Sequence, residues 1–455
     1  MPKLSRVFKV ISMVTTLDQK ISTTGLLRFA APTILGMILL EVFGIIDGLF
    51  VVHLIGTEAL SALNITFPVV LGVIAIGSMF GAGGNALVAR QLGQKRETDA
   101  RQNFSLIVWA ALGTGIAFSV FMFLFLEPIL FLLGADEKLL PYCRDFTFVY
   151  SFFIPLALFP CVFSMFYITC GKAVLGMLVA TSGGLIHIVL DYVFIGMYGM
   201  GLRGAGMAMG IGYSLIGVFG FVYFYLNRKN AVYFVRPKFR PYVIMKACTN
   251  GLSEMVTNLS VCVVTILMNN IVMRLTGSDG VAAITIILYM QTSLTSACFG
   301  YSIGVSPLIS YNYGKRETDR LKRIFFRSIK MLSCVSVIVF LLCFFKADLL
   351  IKLFVEPQTT VYEMALGGSR LFAPCFLFMG LNIFASALFT AFSNGKVSAA
   401  LSFCRTFLFV TTALFLLPYF WGMTGVWLSI PAAETLSFVM ALYFFRKYKA
   451  VYHFA

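Results

Sequence analysis

Long apolar stretches separated by short polar segments dominate the pattern of hydrophobic and polar positions along this chain. Residues 105–126, for example, carry no charged side chain and reach the ~20 residues that an α-helix needs to cross a bilayer. Lipid offers no hydrogen-bonding partner to exposed backbone groups, so such segments fold as helices. With Gly, Pro and charged residues as boundaries, the pattern predicts twelve membrane helices, at residues 27–53, 59–91, 99–126, 141–170, 174–198, 204–227, 242–274, 280–312, 320–345, 362–392, 397–418 and 424–446.

Composition supports this prediction. The chain is 59% hydrophobic and only 12% charged, whereas soluble domains average about 25% charged residues. A soluble fold has too little interior to bury this much apolar surface. The ten cysteines form no Cys-x-x-Cys pair and lie mostly inside apolar runs, as expected of packing residues rather than of a metal site or disulfide framework. We therefore predict an all-α integral membrane protein.

The distribution of basic residues predicts the orientation of the helices. Cytoplasmic loops of membrane proteins collect Lys and Arg. If the N-terminus is cytoplasmic, the segments that twelve helices place on that side hold 27 of the 35 Lys and Arg residues. The net charge of +16 then reflects topology, and we predict no nucleic-acid partner. We predict a multi-pass protein of the plasma (bacterial inner) membrane, surrounded by membrane lipids, with both termini cytoplasmic.

The chain also contains an internal repeat. The pentapeptide KRETD occurs at 95–99 and again at 315–319, 220 residues later. Several glycines repeat at an offset of 221, which we interpret as one deletion next to the second pentapeptide. We interpret KRETD itself as a solvated helix start rather than a site. The repeating glycines are Gly56 and Gly277, Gly93 and Gly314, Gly201 and Gly422, and Gly204 and Gly425.

An offset of six helices, an even number, gives both halves the same orientation in the membrane. We therefore predict two pseudo-symmetric six-helix bundles around a central cleft, an arrangement that suits a molecule opening alternately to either side. The predicted parts are a cytoplasmic N-terminus at 1–26, a first lobe at 27–227, a cytoplasmic linker at 228–241, a second lobe at 242–446 and a cytoplasmic C-terminus at 447–455.

Five segments, at 46–65, 83–93, 188–195, 306–314 and 425–434, resemble the multidrug and toxic compound extrusion (MATE) family. The resemblance implies a twelve-helix, two-lobe antiporter that exports organic, often cationic compounds in exchange for Na⁺ or H⁺. The major facilitator superfamily is less favoured, because its loop between helices two and three usually carries a Gly-x-x-x-Asp-Arg-x-Gly-Arg-type motif. Here that loop reads GQKRETDARQ.

Ionisable residues inside membrane helices are costly and are functional candidates by default. Asp47 in the first helix and Asp191 in the fifth lie at matching depth, given a rise of ~1.5 Å per residue. His187 precedes Asp191 by four residues and shares its helix face. Two acids facing a small polar cavity can bind protons or a hard cation through oxygen. Hydrogen bonds that only pack the helices are the alternative, and for His187 the two interpretations are nearly balanced.

The resemblance implies that Asp47 and Asp191 match the family's first-lobe cation or proton site, with possible Na⁺ binding there. An Asn is common in the family where His187 stands. Imidazole titrates near neutral pH and is a poorer partner for Na⁺, which favours protons as the coupling ion.

Two further residues of the first helix are candidates. Glu41, near the middle of the helix, is an additional acid that we group with the coupling site. Pro32 removes a backbone hydrogen bond and can bend the helix, which would gate access to Asp47. A static kink is the alternative for Pro32.

In the second lobe, Glu254, Arg405 and Glu434 are predicted at similar depths. Buried charges persist when they are paired. We favour a structural bridge between Arg405 and Glu434. Glu254 is then the freer acid, which could attract a cationic substrate or carry a proton.

The leading hypothesis is a secondary active multidrug efflux antiporter that exports organic, cationic compounds in exchange for H⁺ or Na⁺. It would act as a monomer, without a cofactor beyond the coupling ion and without catalytic residues, so it would not be an enzyme. The alternatives are a flippase or exporter of a lipid-linked or peptide-like metabolite on the same architecture and, less favoured, an integral-membrane transferase that uses His187 as a base.

Overall fold

The computed structural model describes residues 21–135, 137–352 and 354–455, and all regular secondary structure in these ranges is helical. Most of the predicted N-terminal segment 1–26 lies outside the described residues. The helices long and apolar enough to cross a membrane are α1 (Thr23–Leu54), α2 (Thr57–Gly93), α3 (Glu97–Leu124), α4 (Leu140–Thr169), α5 (Ala173–Met197), α6 (Gly201–Leu226), α7 (Pro241–Gly277), α8 (Asp279–Lys315), α9 (Thr318–Phe345), α10 (Thr360–Ala391), α11 (395–421) and α12 (423–452).

The two tightest connections each depend on one glycine. Gly277 ends α7 just before α8, with φ 70° and ψ −156°. Gly422 separates α11 from α12 with φ 52° and ψ −132°. Positive φ costs glycine little, because it has no Cβ. The predicted all-α class with twelve membrane helices is confirmed, although helices α7, α8, α11 and α12 extend further into the predicted loops than expected.

The repeat is visible in the backbone. Positive φ recurs at Gly56 and Gly277 and at Gly201 and Gly422, both pairs 221 residues apart. A short helix, absent from our predictions, follows the third membrane helix of each half, at Leu126–Leu132 and at Ala347–Ile351. Each half is thus built from the same sequence of elements.

The turns that contain KRETD correct one prediction. Lys95 and Arg316 both adopt the left-handed conformation, with φ 59° and 62°, and they are 221 residues apart. The two turns therefore have the same length, and the predicted deletion at this point is wrong. The two KRETD pentapeptides therefore occupy backbone positions that differ by one residue. Gln94 of the first turn corresponds to Lys315 of the second.

The two lobes contact each other through small residues at one end of the bundle, which carries the turns after α2 and α8, the linker 227–240 and the C-terminus. We call this the basic end. A Cβ at Gly93 would overlap the carbonyl oxygen of Tyr311, and one at Gly314 would overlap that of Arg90. These two contacts are reciprocal at the offset of 221, as in a pseudo-twofold pair. Glycine lets the helix backbones approach this closely.

A second reciprocal pair of contacts lies further along the same helices. Gly83 of α2 packs against the backbone at Ala247 and Gly251 of α7, and Gly304 of α8 packs against Ala30 of α1, which corresponds to Gly251 at the offset of 221. In the structure the lobes are therefore packed together at the basic end.

Two hydrophobic cores fill the molecule, and α1 and α7 each connect both. Leu26 and Phe29, at the start of α1, belong to the core formed mainly by the second lobe. Val243 and Ala247, at the start of α7, belong to the core of the first lobe. Each of these helices begins against the opposite lobe and then enters its own, so α1 links the two lobes directly.

Candidate functional site

Close packing of α1 on α5 builds the first-lobe site. A Cβ at Gly184 of α5 would overlap the ring of Phe43 of α1, so only a glycine here lets the two helices come this near. Asp47 follows Phe43 by one helical turn, and His187 follows Gly184 by three residues. Both side chains therefore point to the same side of the contact. This packing brings together residues that are 140 positions apart in sequence.

Asp47, His187 and Asp191 form one cluster. Nε2 of His187 lies 3.2 Å from Oδ2 of Asp191 and 3.8 Å from Oδ1 of Asp47. One nitrogen or oxygen atom from each of the three side chains lies within 4.8 Å of the other two. The predicted grouping of these residues is thus present, with the imidazole of His187 beside both carboxylates.

The cluster is removed from solvent. The exposed fractions are 7% for Asp47, 5% for His187 and 0% for Asp191. Nε2 of His187 and both carboxylate oxygens of Asp191 are buried without a hydrogen-bond partner. Buried polar atoms are nearly always satisfied, and unsatisfied ones ask for an explanation such as an absent proton, water or ion. This geometry can accept one or more protons, or a cation.

The third wall of the cluster is α6. Gly212 of α6 approaches the Cβ of His187 and the backbone of Gly183. The neighbouring Tyr213 places its ring edge-on to the imidazole, with ring centroids 6.3 Å apart. We did not identify Tyr213 from the sequence, because its only signal is its position beside a glycine on a helix that carries no acid.

Glu41 does not join the cluster. It lies six residues before Asp47, which turns it about 240° around the helix axis. Oε1 of Glu41 accepts a hydrogen bond of 3.2 Å from Ser296 of α8 in the second lobe. The structure thus separates this predicted member of the coupling site from the other three and places it at the contact between the lobes.

Pro32 lies within α1, which is assigned as one helix from Thr23 to Leu54 without a non-helical residue. The role of Pro32 in gating stays a prediction.

In the second lobe, the predicted contact between Arg405 and Glu434 is present. Nη1 of Arg405 lies 3.4 Å from Oε1 of Glu434, and both side chains are largely buried. Asn382 of α10, which we did not predict, donates a hydrogen bond of 2.6 Å to Oε2 of the same carboxylate. This acid is held by a permanent cation and an amide, unlike the acids of the first lobe.

Glu254 lies beside this pair. It lines a small cavity of about 10 Å³ together with Arg405, Ser386 and Ser402, which is enough space for one water molecule. The hydroxyls of Ser386 and Ser402 are 2.7 Å apart. Serine and threonine are frequent in membrane helices and rarely indicate a site by themselves. The sequence therefore did not predict the pairing of Ser386 with Ser402.

Comparisons with known proteins agree with this architecture. The MatE family model matches residues 32–193 and 255–414, one segment in each half of the repeat. The multidrug export protein MepA of Staphylococcus haemolyticus is 24% identical over 423 residues, with 92% of each chain covered. MepA of Staphylococcus saprophyticus is 22% identical over 425 residues, again with 92% of each chain covered.

Solved structures show the same fold. A MATE protein in complex with MaL6 superimposes with a TM-score of 0.90 at 20% identity, covering 97% of this chain and 99% of the other. An outward-facing multidrug resistance MATE family transporter of the MOP superfamily superimposes with a TM-score of 0.87 at 21% identity, covering 94% and 95%. A MOP superfamily transporter from Pyrococcus furiosus, described as having a binding pocket of reversed polarity, gives a TM-score of 0.88 at 20% identity, covering 97% and 98%.

Proposed function

Because this chain belongs to the MATE family of multidrug efflux transporters, within the MOP superfamily, we propose that it exchanges organic cations for H⁺ or Na⁺ bound at Asp47, His187 and Asp191. Members of the family are transporters rather than enzymes, and the transferase hypothesis with His187 as a base is dropped. The MepA relatives are named for multidrug export, which favours drugs over a lipid-linked or peptide-like cargo.

The observation that carries this proposal is the buried cluster of two carboxylates and one imidazole without a permanent cation. Among the described residues, the ion pairs of Asp47 and Asp191 are with His187. Several negative charges in a site of low dielectric require a proton or a cation to neutralise them. The charge of this site therefore changes with the ions available, which is the property that coupling needs.

Of the two ions, we favour H⁺. His187 lies beside both carboxylates and offers nitrogen, whereas Na⁺ is a hard ion that prefers oxygen ligands. Imidazole also gains and loses a proton near neutral pH in water.

Helix α1 is the element that would transmit the change. It begins in the core of the second lobe at Leu26 and Phe29, contacts α8 through Glu41 and supplies Asp47 to the cluster. Neutralising Asp47 alters how tightly α1 packs on α5, and through its other end α1 alters the contact between the lobes. We propose that this shift opens the packed basic end and alternates the access of the central cleft.

The substrate is proposed to be cationic because one acid lies at the contact between the lobes and another lines a cavity of the second lobe. Glu41 lies in the middle of α1 at the lobe contact, with substantial exposure, and Glu254 lines a cavity of the second lobe. A carboxylate facing a cleft of low dielectric raises the local concentration of cations.

The chain is a multi-pass membrane protein. We further propose that it lies in the plasma membrane and that the transporter acts as a monomer. The basic end is proposed to be cytoplasmic because 23 of the 31 Lys and Arg residues in the described ranges lie on that side. The described structure then has its cytoplasmic side closed.

The test is ethidium efflux from proteoliposomes under separately imposed pH and Na⁺ gradients. A pH gradient alone is expected to drive efflux by the wild-type protein, and Asp47→Asn is expected to reduce efflux to the passive leak. Asp145→Asn is the matched control, since Asp145 is an exposed acid paired with Arg203 at 2.8 Å.

Full gradient-driven efflux by Asp47→Asn, with correct insertion, would refute the assignment of the coupling site. Efflux driven by Na⁺ alone would overturn the choice of H⁺ and keep the site.

A further inference from the structure

The cluster of Asp47, His187 and Asp191 has a ligand set unlike that of a simple proton or Na⁺ site. We propose that it also binds a divalent transition-metal ion, with Zn²⁺ and Co²⁺ as the representative cases, and that this ion competes with the coupling ion. The proposal uses the same three residues as the proposed function, but metal binding can be measured without any transport.

The first argument is the chemistry of the ligands. The cluster offers one imidazole nitrogen and two carboxylates. Hard cations such as Na⁺, Mg²⁺ and Ca²⁺ prefer sites built from oxygen alone. Divalent first-row metals bind imidazole well, and Zn²⁺ sites commonly combine His with Asp or Glu. Two carboxylates and a neutral imidazole also match the charge of a divalent ion.

The second argument is distance. A tetrahedral ion with bonds of about 2.0–2.1 Å places its ligand atoms roughly 3.4 Å from one another. In the cluster, Nε2 of His187 lies 3.2 Å from Oδ2 of Asp191 and 3.8 Å from Oδ1 of Asp47. One candidate ligand atom of each residue lies within 4.8 Å of the other two. Small rotations of the carboxylates are enough to complete the geometry.

The third argument is that three of the candidate ligand atoms have no hydrogen-bond partner. Nε2 of His187 and both carboxylate oxygens of Asp191 lack hydrogen-bond partners, although these two side chains are 5% and 0% exposed. A buried imidazole nitrogen facing two carboxylates, with no further partner, is aimed at the position that an ion would occupy. Three protein ligands leave a fourth position, which water or the second oxygen of Asp191 can fill.

The surrounding helices fix the ligand positions. Gly184 admits Phe43 and so sets the distance between α1 and α5, and Gly212 lets α6 contact the Cβ of His187. Ligands held on rigid helices lose little entropy when they bind an ion. A metal ion here would also hold α1 against α5, and we therefore expect it to inhibit transport.

The experiment is a titration of the purified, full-length protein, freed of any affinity tag, with Zn²⁺ by calorimetry and with Co²⁺ by visible absorption. We expect one saturable site per chain for Zn²⁺ and an intense Co²⁺ spectrum of the four-coordinate type. His187→Asn should weaken Zn²⁺ binding by at least about 100-fold, since even an outer-shell partner is worth 10–100-fold. Asp191→Asn should also weaken Zn²⁺ binding and gives a second, independent test of the site.

The matched control is His453→Asn. His453 follows α12 and has φ 52°, a conformation that Asn tolerates, so this variant removes an imidazole far from the cluster and should keep the wild-type Zn²⁺ affinity. Equal Zn²⁺ affinity in wild type and a folded His187→Asn, or no saturable binding in wild type, overturns the proposal.

The two proposals can fail separately. No Zn²⁺ binding together with loss of coupled efflux in Asp47→Asn overturns the metal site and leaves the proposed function intact. Tight Zn²⁺ binding that depends on His187 but leaves ethidium efflux unchanged supports the metal site, overturns competition with the coupling ion and contradicts coupling at this cluster.

Discussion

The two lobes share one architecture but treat their buried acids in opposite ways. In the first lobe, the carboxylates of Asp47 and Asp191 face an imidazole, whose charge depends on protonation. In the second lobe, Glu434 faces Arg405 at 3.4 Å and receives a hydrogen bond from Asn382. Arginine stays protonated at any physiological pH. The first site can therefore change its charge during a transport cycle, while the second keeps a fixed pair.

The repeat shows where the halves diverged. At the offset of 221, Asp47 corresponds to Met268, a residue that is 1% exposed in the core, and Glu434 corresponds to Tyr213, which packs beside His187. The acids thus occupy different positions in the two halves rather than mirrored ones. We propose that the duplicated scaffold allows a symmetric movement, and that the unmatched substitutions give one lobe an ion-dependent site and the other a static one.

The largest expected effect in this comparison is at Asp191, the fully buried acid of the first lobe. Asp191→Asn removes the charge and keeps the shape, so gradient-driven ethidium efflux should fall to the passive leak rate. Efflux is measured in proteoliposomes and normalised to the inserted protein. If Asp191→Asn retains most of its coupled efflux, the first lobe is no more ion-dependent than the second.

The next effect concerns stability of the second lobe. Arg405→Met or Glu434→Gln alone leaves the other residue's charge buried without its partner. Removing one partner of a buried pair typically costs about 3–5 kcal/mol. Thermal unfolding in detergent should show a clear decrease in midpoint for each single variant. The double variant should lose less than the sum of the two, because neither partner of the pair is then left without the other. Additive losses in this cycle would show that the two residues do not form a pair.

The contact between the lobes should give a moderate effect. A Cβ at Gly93 would overlap backbone atoms of α8, whereas one at Gly113 in α3 meets no atom within 4 Å. Gly93→Ala should therefore weaken the packing at the basic end and lower efflux about tenfold, equivalent to ~1.4 kcal/mol, while Gly113→Ala should not.

The distance between spin labels at two exposed positions of this end, Lys229 and Lys322, reports the packing directly. We expect a longer and broader distance distribution in Gly93→Ala. An unchanged distribution would mean that the two lobes do not depend on this contact.

The smallest effect is expected at Pro32 of α1, a helix that belongs to the cores of both lobes and also carries Asp47 of the cluster. Pro32→Ala supplies the missing backbone donor and stiffens α1. The efflux rate should fall several-fold, with little change in ethidium affinity measured by equilibrium binding. Wild-type efflux by this variant would favour a static role for the proline.

Much of the fold could be predicted from sequence, because a bilayer imposes strong and simple constraints. The lengths of the apolar segments predicted the twelve helices, and the offset between Gly56 and Gly277 predicted the parallel repeat. The short helices at Leu126–Leu132 and Ala347–Ile351 were missed. They are too short to be predicted as membrane helices and too apolar to be predicted as loops.

Less of the candidate site could be predicted from the sequence. Charge inside an apolar helix identified Asp47, Asp191 and His187, but Glu41 carried the same signal and faces the other lobe. Helix rotation relative to its neighbours, which is set by contacts such as Gly184 with Phe43, decides this difference. Asn382 and Tyr213 were missed because uncharged polar residues are common in membrane helices for packing reasons alone.

The central claim is that the coupling ion acts in the first lobe and not in the second. The most direct test compares ethidium efflux under an imposed pH gradient for Asp47→Asn and Glu254→Gln, each reconstituted at the same density. Efflux is expected to lose its dependence on the gradient in Asp47→Asn and to keep it in Glu254→Gln. Gradient dependence that survives in Asp47→Asn and disappears in Glu254→Gln would contradict the account and move the coupling site to the second lobe.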